Sequence, residues 1–156
     1  MNSSKGDRAT STPESPEVAF TLKTVHKMLP LVQRIVDDIL QRERALQSLE
    51  PEQARLDRQK RGLAWPQRQR RYQLQDDFAK AERDLNEVRD ELAGLGVVLF
   101  DDESGRVGFP TMVNNRRAYF SWHLGEEGLH SWHFAEENAA RPIPAAWLKE
   151  LSFAAK

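Results

Sequence analysis

Three of the four histidines, His123, His130 and His133, lie between Arg117 and Arg141 in RAYFSWHLGEEGLHSWHFAEENAAR, together with Glu126 and the closing Arg141. Imidazole and carboxylate suit zinc, iron or manganese, so His123, Glu126 and His133 form a candidate metal set. The spacing does not identify a metal. His123 and His133 flank a turn and fall on adjacent strands, where side chains can meet across a ladder, whereas His130 has the opposite parity to His133. The competing readings are packed or surface histidines with ordinary hydrogen bonds, and histidines used in acid–base or ligand chemistry. Glu126 and Arg141 either lock a loop onto the sheet or recognise a ligand, arginine being suited to bidentate contact with carboxylate or phosphate. With Trp122 and Trp132 beside them, Glu126, His133 and Arg141 make a candidate ligand-binding set. Ser121 and Ser131 lie near the histidines, but no nucleophile–base–acid chain can be specified. Glycine-rich phosphate loops, nucleophile elbows and paired-histidine metalloprotease helices are absent from the sequence. No cofactor follows from these residues.

A second candidate lies between Glu52 and Arg71. Seven basic residues (Arg55, Arg58, Lys60, Arg61, Arg68, Arg70 and Arg71) face only Glu52 and Asp57 there, with Trp65 and Tyr72 beside them. Such a segment can hold phosphates while an aromatic ring stacks on a base, with Arg68, Arg70 and Arg71 as the contact residues. The next stretch is acid-rich (Asp76, Asp77, Glu82, Asp84, Glu87, Asp90, Glu91) and no nucleic-acid motif accompanies the basic one. That disfavours nucleic acid and suits pairing of two copies by charge.

The elements that position these residues follow from periodicity. Phe20, Thr21 and Val25 have the spacing of a hydrophobic staple around a threonine cap. Leu22, Val25, Leu29, Val32, Val36 and Ile39 then step by three and four along one helical face. Pro30 within this run is expected to kink the helix or to open a second one, and Glu50-Pro51 marks another interruption or restart. Gly62 and Pro66 bound a turn. From Pro66 the stripe Leu74, Phe78, Ala81, Leu85, Val88, Leu92 and Leu95 is regular until Gly94 and Gly96 stop it. Two such helices fold back as an antiparallel hairpin.

Beyond Gly96 the period becomes two. Strands are expected at 97–100, 106–109 (with Pro110 as its end or an edge), 118–124 and 129–134. Asn114-Asn115 and Gly125 to Gly128 are the turns. Phe120, Trp122 and Leu124 form the core-facing side. Residues 135–144 read as a polar loop and Ala145 to Phe153 as a closing helix with Trp147, Leu148 and Leu151 as its apolar patch. The fold class is therefore α+β: a long antiparallel helical hairpin, a small antiparallel β-meander and a short C-terminal helix. Residues 1–17, rich in Ser, Thr, Pro and charge, are expected to be a disordered tail before a single domain over 18–156.

Composition excludes several classes. The chain has no cysteine, which removes disulfides and thiolate chemistry, and its net charge of −1 exerts no global pull toward nucleic acid or membrane. There is no apolar run long enough for a membrane span and no signal-peptide core, so a cytoplasmic protein with no membrane partner is expected.

The order FTLKTVHKMLP, heptads, GVVLFDDESGRVGFP, YFSWHLGEEGLHSWHF and Arg141 resembles the prokaryotic domain-of-unknown-function family 2203. Its pattern falls on Phe20-Thr21, Leu29-Pro30, Gly96-Val97, Phe109-Pro110, Trp122 with Leu124-Gly125-Glu126, Trp132-His133 and Arg141. Gly108 stands where the family usually has Asp, and Asn138 where it often has Gly. The resemblance implies positions and no reaction. Taken together, the residues point first to a non-enzymatic binding or assembly module. It would self-associate through its hairpin, with a dimer favoured and a further protein partner allowed. The alternatives are a metal site at His123, Glu126 and His133, and nucleic acid at the basic tip.

Overall fold

The structure is a computed structural model that describes residues 19–154, the side chains of residues 150–154 excepted; the tail expected over residues 1–17 lies outside the described residues. Helix α1, Leu22–Arg58, and helix α2, Trp65–Gly94, run antiparallel around a single 3-10 turn at Lys60–Gly62. Thr21 caps α1 as expected, its hydroxyl accepting from the Thr24 amide at 3.1 Å, and Phe20 and Val25 are both buried. Pro66 sits in the first turn of α2, where its missing N–H has no intrahelical partner to lose.

The helix is not divided at either proline. Pro30 and Pro51 both lie inside α1. Each proline removes one backbone hydrogen bond. The buried residues Val25 and Leu29 before Pro30, and Val32, Ile35 and Val36 after it, hold both sides of that gap against the same core. Packing therefore overrides the local break signal.

The five strands β1 (Val98–Asp101), β2 (Arg106–Val113), β3 (Arg116–His123), β4 (Ser131–Phe134) and β5 (Arg141–Pro142) form an antiparallel meander in that order. Two features exceed the expectation. First, β2 runs through Pro110, beyond the point where β1 has ended. The Pro110 carbonyl accepts from the Phe20 amide at 2.7 Å, so its ring nitrogen, which points to the same side, faces an edge with no strand donor required. Second, the expected polar loop contains β5, whose Arg141 pairs with Trp132. Asn114 and Asn115 take positive φ in the β2–β3 turn, at 53° and 62°.

Register assigns two faces. Val107, Phe109, Ala118, Phe120, Trp122, Trp132 and Phe134 share the inner face and are buried against α1 and α2. Helix α3, Ala145–Ala154, closes this face through Trp147, whose ring centroid lies 5.3 Å from that of Trp132 and 6.4 Å from that of Phe120. The sheet covers only the near half of the hairpin. Further out the buried residues are Leu56, Leu63 and Leu74, with Leu49 packed beside them. Beyond Leu40 the hairpin is thus an arm that projects roughly 25 Å, from the rise of 1.5 Å per residue.

Gly105 shows how closely the sheet sits on α1. At φ +69°, a Cβ there would lie 2.8 Å from Val36 Cγ1 and 3.1 Å from Leu124 Cβ. Both the backbone conformation and the contact call for glycine.

Candidate functional site

The motif residues of β3 and its following turn are occupied with closing that turn. Past Ser121, β3 has no β4 residue opposite it, because the ladder ends at Ser121–Ser131. The His123 amide donates instead to Glu126 Oε1 at 3.2 Å, and the Trp122 indole N–H donates to the Glu126 carbonyl at 3.0 Å. Gly125, at φ +96°, lets the chain double back sharply enough for both bonds. Trp122, Gly125 and Glu126 therefore act as one clasp. His123 Nε2 lies 3.8 Å from Glu126 Oε1, so these two of the candidate metal residues do meet.

His133 does not join them. It pairs with Tyr119, four residues along β3 from His123, which separates the two side chains by roughly 13 Å on one face. Among the described residues no group of three or more His, Asp or Glu side chains is arranged to hold a metal ion. His130 turns away and bonds the Glu127 carbonyl at 2.6 Å.

Arg141 lies on the other face. Opposite partners in a ladder point the same way, so the Arg141–Trp132 pair places Arg141 on the inner side and His133 on the outer side. The guanidinium sits 4.9 Å over the Trp132 ring and 5.3 Å over Phe134 and pairs with Glu137. Glu137 Oε1 in turn accepts from the Phe134 amide at 3.1 Å. That amide bond, followed by Arg141, holds the Glu137 carboxyl below its ordinary range. The expected Glu126–Arg141 pair is thus replaced by two separate clasps, and Glu126, His133 and Arg141 do not converge. Trp132 and Trp122 are core residues of the same inner face.

His133 is the unusual member. It is only 3% exposed although it lies on the face away from the helices. Its Nδ1 is 2.8 Å from the Phe134 carbonyl, which requires the proton on that nitrogen. The other ring nitrogen, Nε2, is buried and has no hydrogen-bond partner among the described residues. Phe100 and Tyr119 pack around it with centroids 5.8 Å and 5.7 Å away. The ring of Phe100 reaches this place because Gly108 has no Cβ; one added there would lie 2.6 Å from Phe100 Cζ and 2.9 Å from Tyr119 Cδ1. Gly108→Ala is expected to displace both rings, at a cost of roughly 1–3 kcal/mol. A urea-unfolding midpoint equal to that of the parent would show that the rings accommodate the methyl group.

At the tip the basic residues divide into two groups, and Arg55 belongs to the paired one, 3.9 Å from Glu52 Oε2. Arg70 grips Glu52 through two bonds of 2.9 Å, and Arg71 bonds Asp57 at 2.8 Å, so both tie α2 to α1. Arg70 holds the Glu52 carboxyl below its ordinary range. Arg58, Lys60, Arg61 and Arg68 have no carboxylate within pairing distance among the described residues. Arg68 lies 5.4 Å over Trp65. Trp65 and Tyr72 are 57% and 56% exposed, more than any other large apolar side chain described. A cavity of about 260 Å³ lies between Lys60, Arg61, Leu63, Arg68, Arg71 and Tyr72. Of the three tip residues singled out for anion contact, Arg68 alone is unpaired.

Sequence reasoning missed one cluster. Arg89 of α2 pairs with both Glu43 of α1 and Asp102 of the β1–β2 turn. The Asp102 carboxyl beside it raises the Glu43 carboxyl above its ordinary value, with burial adding to it and Arg89 opposing it. No short-range pattern could have signalled it, since the three residues come from three elements.

No helix among the described residues is long and apolar enough to cross a membrane. A family model described as "Uncharacterized conserved protein (DUF2203)" matches residues 19–141. No curated protein and no solved structure matches the chain.

Proposed function

Proceeding from a chain that belongs to the DUF2203 family of uncharacterized conserved proteins, we propose that it is a non-enzymatic binding module. Its sheet and near hairpin form a base, and the tip of its arm makes the contact. The observation that carries this reading is the pair of aromatic rings, Trp65 and Tyr72, left more than half exposed beside unpaired cations. Isolated exposed apolar residues are ordinary, but two large rings seven residues apart, on one charged face of α2, are a surface suited to recognition. The motif residues around Trp122, Glu126 and Arg141 take the structural role of fastening turns, which leaves the tip as the better contact surface.

The test is a photo-crosslinking residue placed at Tyr72 and, as a control, at the exposed Met112 on the sheet. Adducts from Tyr72 that exceed those from Met112 are expected. Equal yields would sink the reading. Nuclease and protease digestion then reports what the adduct is.

A second reading, pairing of two copies along their arms, rests on charge. The four basic residues of the tip without a carboxylate partner among the described residues, Arg58, Lys60, Arg61 and Arg68, would lie against the acid-rich stretch from Asp76 to Glu91 of the other copy. The heptad stripe adds little, because Leu74, Leu85, Val88 and Leu92 are already buried within the chain. A Tyr72 adduct of twice the chain mass would favour this pairing.

A further inference from the structure

We infer that the tip binds single-stranded nucleic acid, with Trp65 and Tyr72 stacking on bases and Arg58, Lys60, Arg61 and Arg68 meeting phosphates. This deepens the reading of the tip as the contact surface and rests on it.

Three observations carry it. The first is charge placement: the protein is nearly neutral overall, yet four cations with no carboxylate partner among the described residues sit together at the end of a projecting arm, where a polyanion can reach them. The ionic ties to Glu52 and Asp57 use Arg55, Arg70 and Arg71, which leaves the other four of the seven without an ionic role in the hairpin. Arg58 lies in the last turn of α1, where a cation suits the helix dipole, but Arg68 is placed against it. Arg68 stands in the opening turn of α2, which has no acidic residue and no side-chain cap, and a cation near a helix start is unfavourable.

The second is the kind of surface between the charges. Trp65 and Tyr72 offer ring faces, and an unpaired base presents a face to match. In a duplex those faces are stacked inside, and an acidic peptide has no regular counterpart to them. Arg68 already covers one side of Trp65 at 5.4 Å, so a base on the other side would complete a stack of guanidinium, indole and base. The third is extent. Two adjoining cavities share Lys60 and Arg61, one of about 440 Å³ that reaches Arg58 and one of about 260 Å³ that reaches Arg68 and Tyr72. Together they carry all four cations and one of the rings, which suits a strand laid across the tip.

The experiment is fluorescence anisotropy of a labelled oligothymidylate of about twelve nucleotides with the full chain, from about 50 to about 200 mM salt. Four phosphate contacts at the single-strand coefficient give a log–log slope near −3, hence roughly a 50-fold loss of affinity over that range. Trp65→Ala is expected to weaken binding roughly 5- to 150-fold and leave the slope unchanged, because it removes a stack and no charge. Arg61→Ala is expected to reduce the slope by about 0.7. Both side chains are exposed, so neither change threatens the fold, and circular dichroism verifies that.

The proposal is overturned by absence of binding at the lower salt. It is also overturned by an affinity that ignores both Trp65→Ala and Tyr72→Ala, or by duplex DNA or polyglutamate binding as tightly as the single strand. Any of these results together with protein adducts at Tyr72 would leave the tip as a contact surface for a protein. Absence of tip adducts together with absence of oligonucleotide binding would remove both readings.

Discussion

Trp122→Ala is expected to destabilise the protein by roughly 3–5 kcal/mol, the range for removing a large buried aromatic side chain. Trp122 is 2% exposed and sits at the centre of the inner face, opposite Val107. Its indole N–H also fastens the Glu126 carbonyl, so the change removes a core filler and half of a turn clasp. A domain of this size has roughly 5–15 kcal/mol in total, so a substantial unfolded population at ambient temperature follows. Trp122→Phe separates the two roles. It retains most of the apolar volume and leaves the carbonyl without its donor, which should cost about 1–2 kcal/mol. Urea denaturation with an unchanged slope is the appropriate measurement. A midpoint for Trp122→Ala close to that of the parent would show that the core is held elsewhere.

The same residue shows what could be read from one sequence. Alternation over Ala118, Phe120 and Trp122 assigned the inner face of β3 correctly, because a period of two has only two outcomes. The helical stripes succeeded for a similar reason: six positions from Leu74 to Leu92, at steps of three and four, fit one face of one helix, and Leu95 caps its end. The contacts between elements were not legible. Strand parity places His133 and Arg141 on opposite faces, but using it for Arg141 required knowing that a two-residue strand pairs Arg141 with Trp132. So short a strand has no periodicity of its own. Of the two outcomes expected at Pro30, a kink or a split, the split does not occur, nor does a restart at Pro51. Pro30 and Pro51 are strong local break signals, and the core on both sides of Pro30 outweighed the loss of a single hydrogen bond.

The candidate site divides along the same line. Residue types drew attention to Glu126 and Arg141, and the structure places each in a clasp that stands in for a missing strand neighbour or ties down a loop. Residue types could not show that Arg70 and Arg71 are neutralised across the hairpin while Arg58, Lys60, Arg61 and Arg68 are not. That distinction depends on which acids of α1 come opposite which turn of α2, a matter of helix phase that spacing along one strand of sequence leaves open.

Arg89→Ala should produce the second-largest change, and its signature is in the pH dependence. Arg89 joins α1, α2 and the β1–β2 turn at the root of the arm, and Glu43 there is only 17% exposed. Removing the cation leaves two carboxylates sharing a site, which should cost roughly 1–2 kcal/mol near neutral pH, a value reduced because Asp102 is half in solvent. In the parent the Glu43 pKa is raised from 4.5, so its contribution to stability is fully present below its unfolded value and is lost as pH rises through the folded one. Arg89 opposes that rise. Without it the folded value climbs further, and the deficit of the variant grows through the carboxylate range and shrinks on acidification. Glu52, Asp84, Asp101, Glu136 and Glu137 are shifted the other way and lose their contributions as pH falls. They are common to both proteins and drop out of the difference. Adding Glu43→Gln to Arg89→Ala should recover most of the loss, since a neutral amide no longer opposes Asp102. A deficit that is the same at acidic and neutral pH, or one that Glu43→Gln does not relieve, would mean that Arg89 acts through packing of its stem and that the carboxylate pair is not what it restrains.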